Sequence, residues 1–319
     1  MIFYPVSDRM KEMGTAFILF CVFLLFVWLI FLYSVRLYWF FRIVKATKRS
    51  KLRSCSSSFS QENENGGVSV EFSVRRRHSA FKSVLIKRKK HRREEMLTLR
   101  GTLLNPESDK LLVFVHKEGL DRRQAAEKCR LFAENGWSVL AFDQRAHGES
   151  DGKRSTLGYC ESEDLARIAG EAAGEKKYRS VGFYGVGCGA AAALLSLDRA
   201  PQVDFVIAED VYPSYVEYLR FLIRKRRILR RIDGLIIDFL LRNCEKYLGL
   251  PLRDLCPLYA AMNHPETALY LTAGGTMPLT LIKRIEENRP LSSETVFCSS
   301  PDGWEAYFDT FDKKNRKRG

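Results

Sequence analysis

Three kinds of side chain suited to nucleophilic chemistry fall at the ends of apolar runs in this 319-residue chain. Cys188 lies in Gly185-Val186-Gly187-Cys188-Gly189, just after the strand-like run Ser180 to Tyr184. Its thiol is a candidate nucleophile, since thiols can replace hydroxyls in that role. Asp210 follows a second run, Val203 to Ala208, and is a candidate acid. His116 closes a third, Leu111 to Val115, and is one of five histidines, with His78, His91, His147 and His264. Nucleophile, base and acid act as a unit, so these residues matter only if one fold gathers them. The bland alternative for Cys188 is a small buried hydrophobe. Gly185 to Ala190 also approaches the G-x-G-x-x-G dinucleotide fingerprint, but Ala190 takes the third glycine and no acid follows at the required distance. No cofactor is expected. The eight cysteines are scattered without a C-x-x-C pair, which predicts neither a metal site nor a disulfide framework and fits a reducing compartment.

The elements that must position these residues alternate. Leu111–Val115, Trp137–Phe142, Ser180–Tyr184, Val203–Ala208, Ala268–Thr272 and Thr295–Cys298 read as strands. Helical patterns fall between them, at Arg122–Asn135, Glu161–Ala173, Cys188–Leu197 and Leu279–Glu287. Continuously apolar strands imply coverage on both faces, and β-α alternation implies a mostly parallel sheet flanked by helices. Ligands of such sheets sit at the carboxyl ends of the strands, where the candidate residues lie.

The segment Asp143-Gln144-Arg145-Ala146-His147-Gly148-Glu149-Ser150 resembles the D-x-R-G-H-G-x-S turn of α/β-hydrolases, in particular the serine-aminopeptidase and lipase-like branch. Ala146 replaces a glycine. Thr156-Leu157-Gly158-Tyr159 with Glu163-Asp164, and Asp210 to Tyr215, extend the likeness over about residues 80 to 310. Phe183 to Gly189 has the outline of the nucleophile elbow, in which small residues flank one exposed nucleophile. The resemblance implies an α/β-hydrolase fold with a helical cap at about 215–250. It also implies a structural role for Asp143, Arg145, His147, Gly148 and Ser150, and an oxyanion loop at His116 and Lys117.

The chemistry departs from that pattern at three strand ends. The central elbow position is Gly187, which has no nucleophile, and in an elbow Cys188 would contribute its backbone N–H rather than its thiol. The loop after Ala268–Leu271 reads Thr272-Ala273-Gly274-Gly275-Thr276-Met277-Pro278, without a carboxylate. After Thr295–Cys298 comes Ser299-Ser300-Pro301-Asp302-Gly303-Trp304-Glu305, and no histidine follows His264. The expectation is a degenerate hydrolase that acts by binding a partner, lipid or small ligand. The alternative is an ester or peptide hydrolase using an unconventional nucleophile such as Cys188.

Met13 to Val35 carries no charge and is long enough to cross a hydrocarbon core. It runs into Tyr38-Trp39-Phe40-Phe41 rather than a small-residue cleavage site, which favours an uncleaved single-pass anchor. Between Arg36 and Arg93 there are 17 Lys/Arg against three acids, an excess equal to the whole net charge of +14. A basic neck on a neutral domain fits anionic lipid and places the C-terminal domain in the cytoplasm. A nucleic-acid binder would carry that charge on its fold, so no nucleic-acid partner is expected. The expected organisation is an anchor at 13–41, a basic and Ser-rich neck at 42–80, a domain at 81–312 and a basic tail at 313–319.

Overall fold

A computed structural model describes residues 6–48, 67–75, 96–175, 178–200, 203–275, 277–290 and 293–298. Eight strands form one sheet: β1 (Val68–Arg75), β2 (Met96–Leu104), β3 (Lys110–Val115), β4 (Ser138–Phe142), β5 (Ser180–Val186), β6 (Phe205–Glu209), β7 (Ala268–Thr272) and β8 (Thr295–Cys298). Their spatial order is β1-β2-β4-β3-β5-β6-β7-β8. The first two pairings, β1 with β2 and β2 with β4, are antiparallel, and every later one is parallel.

The alternation of side chains along the inner strands divides the core in two. Leu111, Val113, Val115, Phe183, Val206, Ala208, Leu269 and Leu271 face one side. Leu112, Phe114, Tyr184, Phe205, Ile207 and Tyr270 face the other. That is why these strands read as continuous apolar runs: neither face meets water. The second face packs on α2 (Ala126–Glu134) through Cys129 and Phe132. The first is covered by α3 (Tyr159–Glu175), the Ala-rich α4 (Cys188–Leu195), α7 (Pro257–Asn263) and α8 (Leu279–Asn288). Residues 215–250 fold as α5 (Tyr215–Arg224), a short 3-10 turn (Arg227–Leu229) and α6 (Asp233–Leu248), which add Leu219, Ile223, Ile236 and Leu240 to the same core. The helix expected at 122–135 divides into a 3-10 turn, Arg122–Ala125, capped by Asp121, and then α2.

Ahead of the sheet, α1 (Val6–Ala46) is one unbroken helix of 41 residues. Its portion from Met13 is long and apolar enough to cross a membrane, and the side chains from Phe17 to Phe31 are exposed. Two expected boundaries move. Residues 42–46 continue the helix instead of starting a neck, and Ile43 and Val44 are buried against the domain. Strand β1 lies inside the segment assigned to the neck and pairs with β2 over its full length, so the domain begins before residue 81. Residues 76–95, which carry much of the basic excess with His78 and His91, and the tail 313–319 lie outside the described residues.

Candidate functional site

The carboxyl ends of β3, β4, β5, β6 and β7 bring the candidate residues to one edge of the sheet. Between β5 and α4 the chain reverses sharply, and Gly187 adopts φ +57°, ψ −116°, a conformation hostile to most side chains. A β-carbon on Gly189 would lie 2.3 Å from the Val115 carbonyl oxygen, and one on Gly185 would lie 2.5 Å from the Ala190 backbone. The glycines therefore let the elbow press against β3 and α4, the geometry that in a nucleophile elbow exposes the central residue.

What faces that central position is Glu118. A β-carbon on Gly187 would stand 3.2 Å from Glu118 Oε2 and 3.2 Å from Lys117 Cγ. The Cys188 N–H donates to the same Glu118 oxygen at 3.3 Å. The Lys117 N–H donates to Gln124 Oε1 at 2.8 Å. In an acyl-transfer site these two backbone positions, after the elbow and in the β3 loop, supply the donors for the developing oxyanion. Here both N–H groups meet side chains of the chain itself.

The Cys188 thiol is buried, with Sγ 3.9 Å from the Tyr212 hydroxyl. Burial, reinforced by the Glu118 carboxylate, pushes its pKa well above that of an ordinary thiol. That is the reverse of what an activated cysteine needs. Tyr212 in turn donates to the Leu157 carbonyl at 3.3 Å and stacks on Tyr218, ring centroids 5.4 Å apart, with Tyr215 edge-on beside it. Tyr212 lies just before the cap, and Tyr215 and Tyr218 lie in the first turn of its first helix.

Asp210 is brought to the same edge but its carboxylate is engaged. Oδ1 accepts the Gly274 N–H at 2.8 Å and the Met277 N–H at 3.3 Å, while the residue itself sits at φ +52°. It ties down the loop after β7, where the family acid would be expected.

Both histidines near the elbow are held by backbone. His116 Nε2 accepts the Gln144 N–H at 3.0 Å, so its proton sits on Nδ1, 2.8 Å from the Lys117 carbonyl. Complete burial, and then the proximity of His147, lower its pKa to about 4. His147 repeats the arrangement: Nε2 accepts the Gly119 N–H at 3.2 Å and Nδ1 lies 3.0 Å from the Arg145 carbonyl. The two rings meet edge to face at 5.1 Å. His264 lies at the opposite edge, before β7, between Asp198 at 2.7 Å and Glu266 at 2.9 Å.

The turn after β4 is a tight structural knot. Asp143 accepts the N–H groups of Arg122 at 2.8 Å and Glu149 at 2.9 Å, and pairs with the Arg122 guanidinium. A β-carbon on Gly148 would fall 2.2 Å from the Asp143 carboxylate. Ser150 Oγ accepts the Arg100 N–H at 2.8 Å, stitching the turn to β2. Arg145 forms a buried bidentate pair with Asp164 of α3, at 2.6 and 2.5 Å. Ala146 takes φ +63°, which explains why a glycine suits that position.

Glu118, Gln124 and the cap tyrosines were not singled out by the sequence reading, although Glu118 stood beside the His116 position that was. A charge directly after a strand, where the oxyanion loop resemblance calls for small residues, was the available signal. Among the described residues no cluster of His, Cys, Asp or Glu is suited to a metal ion.

Comparison with known proteins agrees with this architecture. Residues 106–209 match the family described as serine aminopeptidase, S33, a segment running from before β3 to the end of β6. The uncharacterized protein YqkD of Bacillus subtilis (strain 168) is 27% identical over 184 residues, covering 56% of this chain and 59% of the relative, so the match spans little more than half that protein's length. Among solved structures, the Pyrococcus furiosus esterase Pf2001 superposes with TM-score 0.51 at 21% identity, over 68% of this chain and 86% of that one. The α/β hydrolase GrgF from Penicillium sp. sh18 does so with TM-score 0.51 at 16% identity, over 79% and 96%. The sheet and its helices have the α/β-hydrolase fold, behind an N-terminal apolar helix long enough to cross a membrane.

Proposed function

We propose that this protein is a catalytically silent α/β-hydrolase-fold domain, tethered to a membrane by α1 with the domain on the cytoplasmic side, which acts by binding rather than by turnover. One observation carries the reading: the Cys188 N–H, which would polarise a substrate carbonyl, donates to Glu118, beside an elbow whose central residue is Gly187. The Lys117 N–H is likewise taken by Gln124. Asp210 and His116 spend their polar atoms on backbone, and the His116 pKa of about 4 lies far from the value near neutrality that suits a general base. Glu118 lies against the central elbow position, and Tyr212, stacked on Tyr218, lies beside the Cys188 thiol. The fold keeps the scaffold of an esterase without its reagents.

The orientation rests on the basic excess that follows the uncharged run. A hydrolase reading is favoured by the likeness to an esterase structure, and Cys188 is the residue it would need. Purified full-length protein in detergent, assayed against activated esters and aminoacyl amides, separates the two. No turnover above a buffer blank is expected, and none from Gly187→Ser, which restores a hydroxyl without a base. Saturable turnover that follows the protein through purification and disappears in Cys188→Ala would overturn the proposal.

A further inference from the structure

The end of α1 is packed onto the cap. Leu32, Trp39 and Ile43, spaced along one face of the helix, are buried, as is Val44. The Arg36 guanidinium reaches the Leu235 carbonyl at 3.4 Å and lies 5.4 Å over the Phe239 ring. Further along, Phe40 meets Tyr247 edge-on at 5.5 Å. The Thr47 carbonyl then accepts the Ser155 N–H at 2.8 Å. Because residue 36 meets 235 and 239 while residue 40 meets 247, α1 and α6 run side by side in the same direction. Whatever precedes α6 therefore lies toward the part of α1 that precedes Arg36, which is the apolar span.

That segment is the turn Lys225–Ile232. It holds Lys225, Arg226, Arg227, Arg230 and Arg231, all exposed, around Ile228, which is 76% exposed. Leu235, beside Arg36, is 48% exposed. The acid within this stretch, Asp233, is buried and bound to Arg224 at 2.5 Å, so it does little to offset the cluster. At about 1.5 Å per residue, about 20 residues of the uncharged run cross a hydrocarbon core of about 30 Å. Arg36 then stands at the depth of the lipid headgroups, and the turn beside it stands at the same depth.

We propose that the turn between α5 and α6 is a second membrane contact, in which Ile228 and Leu235 enter the headgroup layer and the five surrounding cations pair with anionic phospholipid. The inference rests on the reading of α1 as a membrane anchor. An apolar residue ringed by arginines is the composition that lies in a bilayer interface, where long basic side chains reach phosphate while the apolar one is covered by acyl chain. Docked to α1 on one side and to lipid on the other, the cap would be held in a fixed attitude over the elbow.

The test uses the full chain in nanodiscs of phosphatidylcholine alone or an equimolar mixture with phosphatidylserine. An environment-sensitive fluorophore is placed at Ile228→Cys, with Cys21, Cys55, Cys256 and Cys298 replaced by serine. Quenching by headgroup-level nitroxide lipids is expected in the mixed bilayer and not in phosphatidylcholine alone. Arg227→Ala should lower the ratio of inserted to withdrawn label about fivefold, the share of one basic residue near an anionic surface. A label that stays open to aqueous iodide in the mixed bilayer, or that is quenched equally in both, overturns the proposal. A second label at Leu24→Cys, read with nitroxides deep on the acyl chain, separates the premises: quenching there with none at 228 leaves the anchor standing and removes the second contact. Absence of quenching at 24 removes both.

Discussion

Glu118 Oε2 lies 3.3 Å from the backbone nitrogen of Cys188 and would lie 3.2 Å from a β-carbon on Gly187. One carboxylate thus has two contacts at the elbow: it accepts an N–H at the start of α4, and it stands against the position that a side chain on residue 187 would take. A carboxylate at the first turn of a helix is also favoured by the partial positive charge there. The same carboxylate raises the pKa of the neighbouring thiol, second to burial itself, so the feature that completes the elbow also quiets Cys188.

This contact makes Gly187 and Glu118 energetically coupled. Gly187→Ser places a side chain at φ +57°, which costs about 1–3 kcal/mol on backbone strain alone, and adds a crowded contact with Glu118. Glu118→Ala removes the crowding but leaves the Cys188 N–H without this partner. The double variant should be less destabilised than the two single costs added together, by at least about 0.5 kcal/mol. Urea unfolding of all four proteins measures the cycle. Strictly additive costs would mean that Glu118 does not occupy the cradle.

The buried His116 gives the fold a definite acid sensitivity. Folded, its pKa is lowered to about 4; unfolded, it returns to the ordinary value of about 6.5. Below pH 6.5 the unfolded chain takes up a proton that the folded one refuses, so stability falls as pH drops from about 6.5 to about 4. The loss amounts to about 3 kcal/mol over that window. His116→Gln keeps an acceptor for the Gln144 N–H and removes the titration. Between pH 6.5 and 4.5 the variant should lose about 2–3 kcal/mol less than the parent protein, read from unfolding midpoints at each pH. Parallel curves would show that His116 takes up its proton in the folded chain as readily as in the unfolded one.

The inner strands could be read from sequence because burial on both faces leaves a one-dimensional trace, as in Leu111 to Val115 or Val203 to Ala208. The Asp143–Ser150 turn was also readable, since its residue types and spacing match a known turn, although its side chains bind Arg122, Asp164 and Arg100 from other stretches of chain. Two parts were not. Tyr38 to Phe41 looks the same whether its aromatics face lipid headgroups or a protein surface, so the docking of Trp39 and the continuation of the helix to Ala46 were hidden. The absence of a nucleophile at Gly187 was visible, but not what replaces it. Glu118 reaches the elbow from the loop after β3 and Tyr212 from the loop after β6, and only the fold brings them together.

The docking of α1 onto the cap yields the last prediction. Trp39 is buried in the main core, and the Arg42 guanidinium lies 5.1 Å over its ring. Truncating a buried aromatic of this size removes both its transfer free energy and the packing around the cavity left behind. Trp39→Ala should therefore cost about 3–5 kcal/mol, measured by chemical denaturation in detergent micelles. Trp39→Phe, which refills most of that volume, should recover more than half of the loss. If Tyr38 to Phe41 met only lipid or detergent, neither substitution would shift the midpoint of the domain, because the transition would not include the helix. A midpoint that moves with Trp39 shows instead that α1 and the α/β domain unfold as one body, and that the cap cannot swing free of α1 without first giving up this contact.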